Sequence, residues 1–214
     1  MFREILTDAQ QTLLELLSRI PEIRTFYLAG GTGLALHLGH RRSRDFDFFR
    51  SKEFRPQDLL TQLRDIGDIE LLQEAAGTLT AIVRSVPLSF FHYDYPLIRP
   101  LHETPWTIGL ANRDDIAAMK LAALAGRGSR KDFVDLYFYC RQDGRLEEVF
   151  RLFKEKYRGI NVDPYHLLRS LAFFDDAEAE AMPDLLRPDT WEEIKAFFRT
   201  EAARLFREPH PGHP

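Results

Sequence analysis

Two aspartates, Asp45 and Asp47, stand two residues apart in the run Asp45-Phe46-Asp47-Phe48-Phe49. The alternation predicts a strand, in which successive side chains point to opposite faces. Both carboxylates then project from one face, and Phe46 and Phe48 from the other. Two carboxylates held side by side repel each other unless a cation lies between them. Hard oxygen donors of this kind suit Mg²⁺, with Mn²⁺ as an alternative, and Mg²⁺ is usually held by one or two carboxylates together with substrate phosphates. The competing reading is a surface strand whose acids pair with Arg41, Arg42 or Arg44 just upstream.

Upstream context favours the metal. Gly30-Gly31-Thr32 follows a segment rich in β-formers and precedes a segment that ends at Gly39. Between a strand and a helix, glycines let the backbone approach a phosphate, while free N–H groups and the positive helix end face the anion. The Thr32 hydroxyl adds a donor. A Gly-Gly-Thr turn alone is equally a tight turn, but one whose threonine lies 13 residues before an Asp-x-Asp pair describes a site for a nucleoside triphosphate and its metal. The run His40-Arg41-Arg42-Ser43-Arg44 sets Ser43 and Arg44 immediately before the acidic pair, where they can contact triphosphate or nucleic acid, or pair with the acids. His37 and His40 share a helical spacing, yet no third metal ligand falls at a suitable distance in sequence.

A second group lies downstream. Lys120 sits in the Ala-rich stretch Ile116-Ala117-Ala118-Met119-Lys120-Leu121-Ala122-Ala123-Leu124, whose small side chains allow close packing and would carry a long cation inward. Snorkelling to solvent is the plainer alternative. Arg127, Arg130 and Lys131 surround Gly128-Ser129 and can neutralise phosphates or an RNA backbone, or simply solvate a turn. Asp132 and Asp135 fall on one face of a helix, and Asp132 also suits a first turn on dipole grounds.

These residues must be carried by ordered elements. The 214 residues hold 44% hydrophobic and 12% aromatic side chains, enough for a sizeable core. With 29 basic against 33 acidic residues, the net charge of -4 excludes a basic nucleic-acid wrapper and a polybasic membrane binder, though not a local basic patch. The single cysteine, Cys140, in a Tyr-Phe-Tyr-Cys run, reads as a packed residue that can form no internal disulfide. A charged N-terminus and the lack of any stretch near 20 apolar residues predict a soluble cytoplasmic protein with no membrane partner.

The pattern predicts a capped helix over 7–19 (Thr7 and Gln10 forming a capping box), a strand over 24–29, and a helix opened by Pro56 and running to about Arg64. A three-run β-meander follows over 69–72, 79–83 and 88–93, with a further strand over 107–110. From Asn112 onward everything reads as helical: 112–126, 131–141, 146–157, 164–174 and 190–206, with a frayed tail at 208–214. The expected fold class is α+β, with a core over 1–111 and a helical domain over 112–214 packed on it, the chemistry lying in a cleft between the two.

The segment LAGGTGLALHLGHRRSRDFDFF resembles the signature of the DNA polymerase β-like nucleotidyltransferases, and the order of motifs is closer still to the AbiEii/AbiGii toxin family. LSFFHYDYPL and NRDDIAAMKLAALAGRGSRKDFVDLYF resemble that family's second half, so the likeness spans about 26–138. It implies a mixed-sheet nucleotidyltransferase core and transfer of a nucleoside monophosphate from an NTP to a hydroxyl, with the tRNA acceptor end as one target. It also implies a cognate antitoxin as partner. Asp45 and Asp47 would be catalytic metal ligands, and Lys120, Asp132 and Asp135 catalytic residues. Gly30, Gly31, Thr32, Ser43, Arg44, Lys120, Arg127 and Lys131 would bind the nucleotide. One departure stands out: many such transferases carry a third aspartate on a neighbouring strand, where this chain reads Pro87-Leu88-Ser89-Phe90-Phe91, with Ser89 in that place. That substitution leaves open an NTP-binding module without transfer. A small-molecule, antibiotic-modifying nucleotidyltransferase is the other alternative.

Overall fold

The computed structural model describes residues 1–142 and 145–207; the tail 208–214, expected to fray, lies outside the described residues. The chain forms two compact units, Met1–Ile116 and Ala117–Pro214.

In the first unit, α1 (Asp8–Leu17) starts at Thr7, which forms the expected capping box with Gln10. β1 is only Tyr27–Leu28, shorter than the sequence suggests, because Ile23–Thr25 closes a 3-10 turn that Pro21 and Glu22 lead into. α2 (Gly30–Leu38) follows at once and ends at Gly39, whose left-handed φ of 61° closes the helix. β2 (Phe46–Arg50), α3 (Pro56–Arg64), β3 (Ile69–Ala75), β4 (Thr78–Val83), β5 (Val86–His92) and β6 (Gly109–Leu110) complete it. Val86 and Pro87, expected in a turn, lie in β5. The reversal is made instead by Arg84 and Ser85, both with positive φ. Pro87 is tolerated because it pairs only with Ile82 of β4, while β2 begins its pairing one residue later, at Leu88.

Among the described residues the strands form one mixed sheet, ordered β3-β4-β5-β2-β1-β6. β2 runs parallel to β5, and β1 parallel to β6; β1–β2, β3–β4 and β4–β5 are antiparallel. The two sheet faces differ sharply. Phe46, Phe48, Leu88 and Phe90 are fully buried in a core with Leu13, Leu14 and Leu17 of α1 and Leu59, Leu60 and Leu63 of α3. Phe48 stacks on Phe90 at 4.9 Å. Each such phenylalanine contributes about 2–3 kcal/mol of burial, so the register of β2 is strongly fixed: a one-residue slip would exchange Phe48 for Asp47 in the core. Arg50 anchors the far end of β2, donating to Glu22 at 2.6 Å and to Thr25 at 2.7 Å beneath the Phe26 ring.

α4 (Arg113–Gly126) is opened by Asn112, whose side-chain oxygen accepts from the Asp114 N–H at 3.0 Å. The second unit continues with α5 (Arg130–Gln142), α6 (Leu146–Lys156), α7 (Pro164–Ser170), α8 (Asp175–Glu178) and α9 (Trp191–Arg207). The helix expected over 164–174 stops at Ser170 and a new short one begins at Asp175. α5 presents Phe133 to Phe174, Trp191 and Phe198, with ring centroids 4.9–5.9 Å away. The fold class is α+β, a mixed sheet with helices.

Candidate active site

At the end of β1 the Ala29 N–H donates to the Asp47 carbonyl at 3.0 Å, extending the β1–β2 pairing, and the chain turns straight into α2. Gly30 makes that turn with φ of 62°. A Cβ built there would lie 2.3 Å from Asp47 Oδ2 and 3.0 Å from both Cβ and Cγ of Asp47. The Asp47 carboxylate is therefore seated directly against the Gly30 Cα, a close approach only glycine permits. It faces the start of α2, where the first backbone N–H groups have no intrahelical acceptor and the helix dipole is positive.

Asp45 sits just ahead of β2 and is held by its neighbours. The buried Thr32 hydroxyl donates to the Asp45 carbonyl oxygen, so the donor expected to face phosphate is committed to the loop that carries the first acid. Ser43 Oγ donates to Asp45 Oδ1 at 3.2 Å. The Ser43 carbonyl in turn accepts from Gln10 Nε2 at 2.8 Å, while Gln10 Oε1 accepts from the Thr7 N–H at 2.9 Å. One buried glutamine thus caps α1 and clamps the acid loop. The capping half of this role is legible in the sequence; the clamp, 33 residues away, has no local signal. Arg44 is exposed beside Asp45, whereas Arg41 is buried and donates to the Arg42 carbonyl at 3.0 Å.

Ser89 falls directly opposite Asp47 in the parallel β2–β5 pair, with Thr80 of β4 on its other side. The position beside Asp47 therefore carries a hydroxyl rather than a third carboxylate. Among the described residues no group of three or more His, Cys, Asp or Glu side chains is placed to hold a metal. A cation at Asp45 and Asp47 would take its remaining ligands from phosphate oxygens and water, which fits Mg²⁺ and a triphosphate. His37 is spent elsewhere: its Nε2 donates to the Ala111 carbonyl at 2.8 Å, and burial pulls its pKa down to about 4. Asp115, read from the sequence only as part of a helix start, is fully buried and accepts from the Ile98 and Arg99 N–H groups at 3.0 Å each.

The downstream residues gather in the second unit. Lys120 Nζ lies 2.8 Å from Asp132 Oδ1 and 2.6 Å from Asp135 Oδ2, and all three side chains are buried. Arg127 reaches Asp132 Oδ2 at 3.3 Å from a largely exposed position. Two cations thus face two carboxylates, tying α4 to the first turn of α5. Lys131 is exposed on α5. Cys140 is a packed thiol: burial pushes its pKa far up, away from nucleophilic use.

The profile of a family described as nucleotidyl transferase AbiEii toxin, of a type IV toxin–antitoxin system, matches residues 11–208. The chain belongs to the AbiEii family of nucleotidyltransferase toxins. An uncharacterized protein of Aquifex aeolicus is 38% identical over 198 residues, covering 91% of this chain and 94% of its own length. In fold, this AbiEii-family chain is similar to the nucleotidyltransferase toxin MenT4 of Mycobacterium tuberculosis, with a TM-score of 0.61 at 19% identity over 94% of this chain and 82% of that one. It is also similar to a candidate nucleotidyltransferase from H. pylori, with a TM-score of 0.55 at 18% identity over 96% and 100%. The protein is a nucleotidyltransferase. Among the described residues no helix is long and apolar enough to cross a membrane.

Proposed function

We propose that this AbiEii-family protein transfers a nucleoside monophosphate from an NTP to a hydroxyl of RNA, the tRNA acceptor end being the target, and releases pyrophosphate. The observation that carries this reading is the seating of the Asp47 carboxylate against Gly30 at the start of α2, with Asp45 fixed beside it by Thr32 and Ser43. The Asp47 carboxylate and a helix N-terminus then meet, with Asp45 two residues away in the chain, which suits a triphosphate. Asp45 and Asp47 would hold Mg²⁺, or Mn²⁺, which when bound would neutralise the triphosphate and acidify the attacking hydroxyl.

The backbone at Gly30 and Gly31 cradles the β and γ phosphates, and Arg44 offers a neighbouring cation. The hydroxyl oxygen bonds to the α phosphorus as the bond to the bridging oxygen breaks; pyrophosphate leaves, and the hydroxyl proton passes to solvent. The protein would act in the cytoplasm opposite a cognate antitoxin, and holding the NTP in line with its acceptor is most of the catalysis. Incubation with Mg²⁺, each labelled NTP and total tRNA should label the RNA, and Asp45→Ala should abolish the label while remaining folded. Unlabelled RNA with every NTP overturns the reading. Ser89 beside Asp47 favours one rival, a module that binds NTP without transferring it; calorimetry showing NTP binding alongside a persistent absence of label would establish that rival.

A further inference from the structure

The sheet face that bears Asp47 and Ser89 continues into aromatic side chains. Two residues along each strand, Phe49 and Phe91 lie opposite one another in the β2–β5 register, their ring centroids 5.2 Å apart. Tyr93 meets Phe49 edge-on at 5.4 Å, and Tyr95 meets Tyr93 at 4.9 Å. Tyr27, paired with Phe49 across β1, stacks beside it at 6.0 Å. On the opposite face Phe46, Phe48 and Phe90 are fully buried, whereas Phe49, Phe91, Tyr93 and Tyr95 all keep part of their surface exposed. One row of the sheet therefore reads, from the α2 end outward, as glycine turn, acid, aromatic pair, tyrosine pair. With a rise of about 3.3 Å per residue, the Phe49–Phe91 pair lies about 7 Å beyond Asp47.

Resting on the transferase reading, we propose that Phe49 and Phe91 form the stacking surface for the terminal base of the acceptor strand. In-line displacement sets the attacking hydroxyl opposite the leaving pyrophosphate. Gly30 and Gly31 hold the pyrophosphate side of the acid pair, so the nucleophile enters from the side away from α2, where Phe49 and Phe91 lie. A stacked base is held by its π face, which all bases share, so this surface takes an unpaired base without reading its sequence. The acceptor class is accordingly an unpaired nucleic-acid terminus rather than a protein side chain or a small sugar.

The test uses fluorescence anisotropy with full-length protein and labelled hexaribonucleotides, one series ending in an intact nucleotide and one in an abasic residue. Phe91→Leu keeps apolar volume but loses the ring, and should weaken binding of the intact oligonucleotide about tenfold. Phe91→Tyr should bind as wild type. The abasic oligonucleotide should bind wild type as weakly as the intact one binds Phe91→Leu. NTP affinity by calorimetry should be unchanged in both variants, and Phe49→Leu should repeat the pattern. Equal oligonucleotide binding by wild type and Phe91→Leu overturns the proposal, as does a loss confined to NTP. Wild-type label transfer that proceeds while Phe91→Leu binds normally removes the stacking surface alone. Conversely, absent transfer with ring-dependent oligonucleotide binding sustains the surface and removes the transferase reading.

Discussion

Gly30→Ala is the smallest change that tests the geometry of the acid pair. Two costs add. An alanine at φ of 62° pays about 1–2 kcal/mol for the left-handed conformation. The new methyl would also lie 2.3 Å from Asp47 Oδ2 and 3.0 Å from its Cβ and Cγ. Because Asp47 is short and its own Cβ is among the clashing atoms, rotating the carboxylate away does not remove the overlap. Either the start of α2 or β2 itself must shift, at an overpacking cost of about 1–3 kcal/mol. The expected loss of stability is therefore about 2–5 kcal/mol, read as a lowered urea midpoint with unchanged slope. A displacement of about 1 Å at a reacting group lowers rates by roughly 10²-fold, so label transfer should fall by about that factor even in the folded fraction. Gly126→Ala is the matched control: no atom lies within 4 Å of its added Cβ, and it should leave both readouts intact. Wild-type stability and rate in Gly30→Ala would refute the close approach of Asp47 to α2.

Three further outcomes follow from groups outside the acid pair. Lys120→Met removes the cation between two buried carboxylates, Asp132 and Asp135, and should cost about 3–5 kcal/mol in urea denaturation; a loss under about 1 kcal/mol would show that the buried pair is not held by this lysine. Burial holds the His37 pKa at about 4, so as pH falls the imidazole protonates first in the unfolded chain; its contribution is complete above about pH 6.5 and is lost as pH falls through 4, at most about 3.4 kcal/mol. Denaturation midpoints across that window should flatten in His37→Asn. The Tyr27 hydroxyl is buried and has no hydrogen-bond partner among the described residues, so Tyr27→Phe should raise the thermal midpoint by the equivalent of about 1 kcal/mol; a lowered midpoint would reveal a partner for that hydroxyl.

Most of the frame was legible because its signals are local. Thr7 with Gln10, Pro56 and the alternation of Phe46 and Phe48 each carry their own physics within a few residues, and the elements stand where those patterns put them. β1 is shorter than the pattern over 24–29 because tertiary context bends Arg24 and Thr25 into a 3-10 turn capped by Phe26, although Thr25 and Phe26 are strand formers by propensity. Asp45 and Asp47 were legible as a pair through strand periodicity and Ser89 through the family resemblance, and the register sets Ser89 opposite Asp47. What could not be read is which partner each polar group finds across the fold. Thr32 faces the Asp45 carbonyl, Gln10 clamps Ser43, and Asp115 fixes the Ile98–Arg99 backbone, contacts spanning 13 to 33 residues that leave no trace in composition or spacing.

Lys120 shows why such partners decide function. From the sequence it is a cation entering the fold on a small-residue helix, which suits a triphosphate clamp. In the structure its ammonium already faces two carboxylates at 2.6 and 2.8 Å in a buried setting, which engages two of its three N–H donors. Displacing either carboxylate would leave a fully buried aspartate without that lysine, a cost of the same order as the whole contact gains. The charge count points the same way: Lys120 and Arg127 face Asp132 and Asp135 in equal number. Lys120 therefore ties α4 to α5 in the structure, and under the transferase reading the exposed Arg44, next to Asp45 in sequence, is a cation that a triphosphate can meet without breaking such a pair.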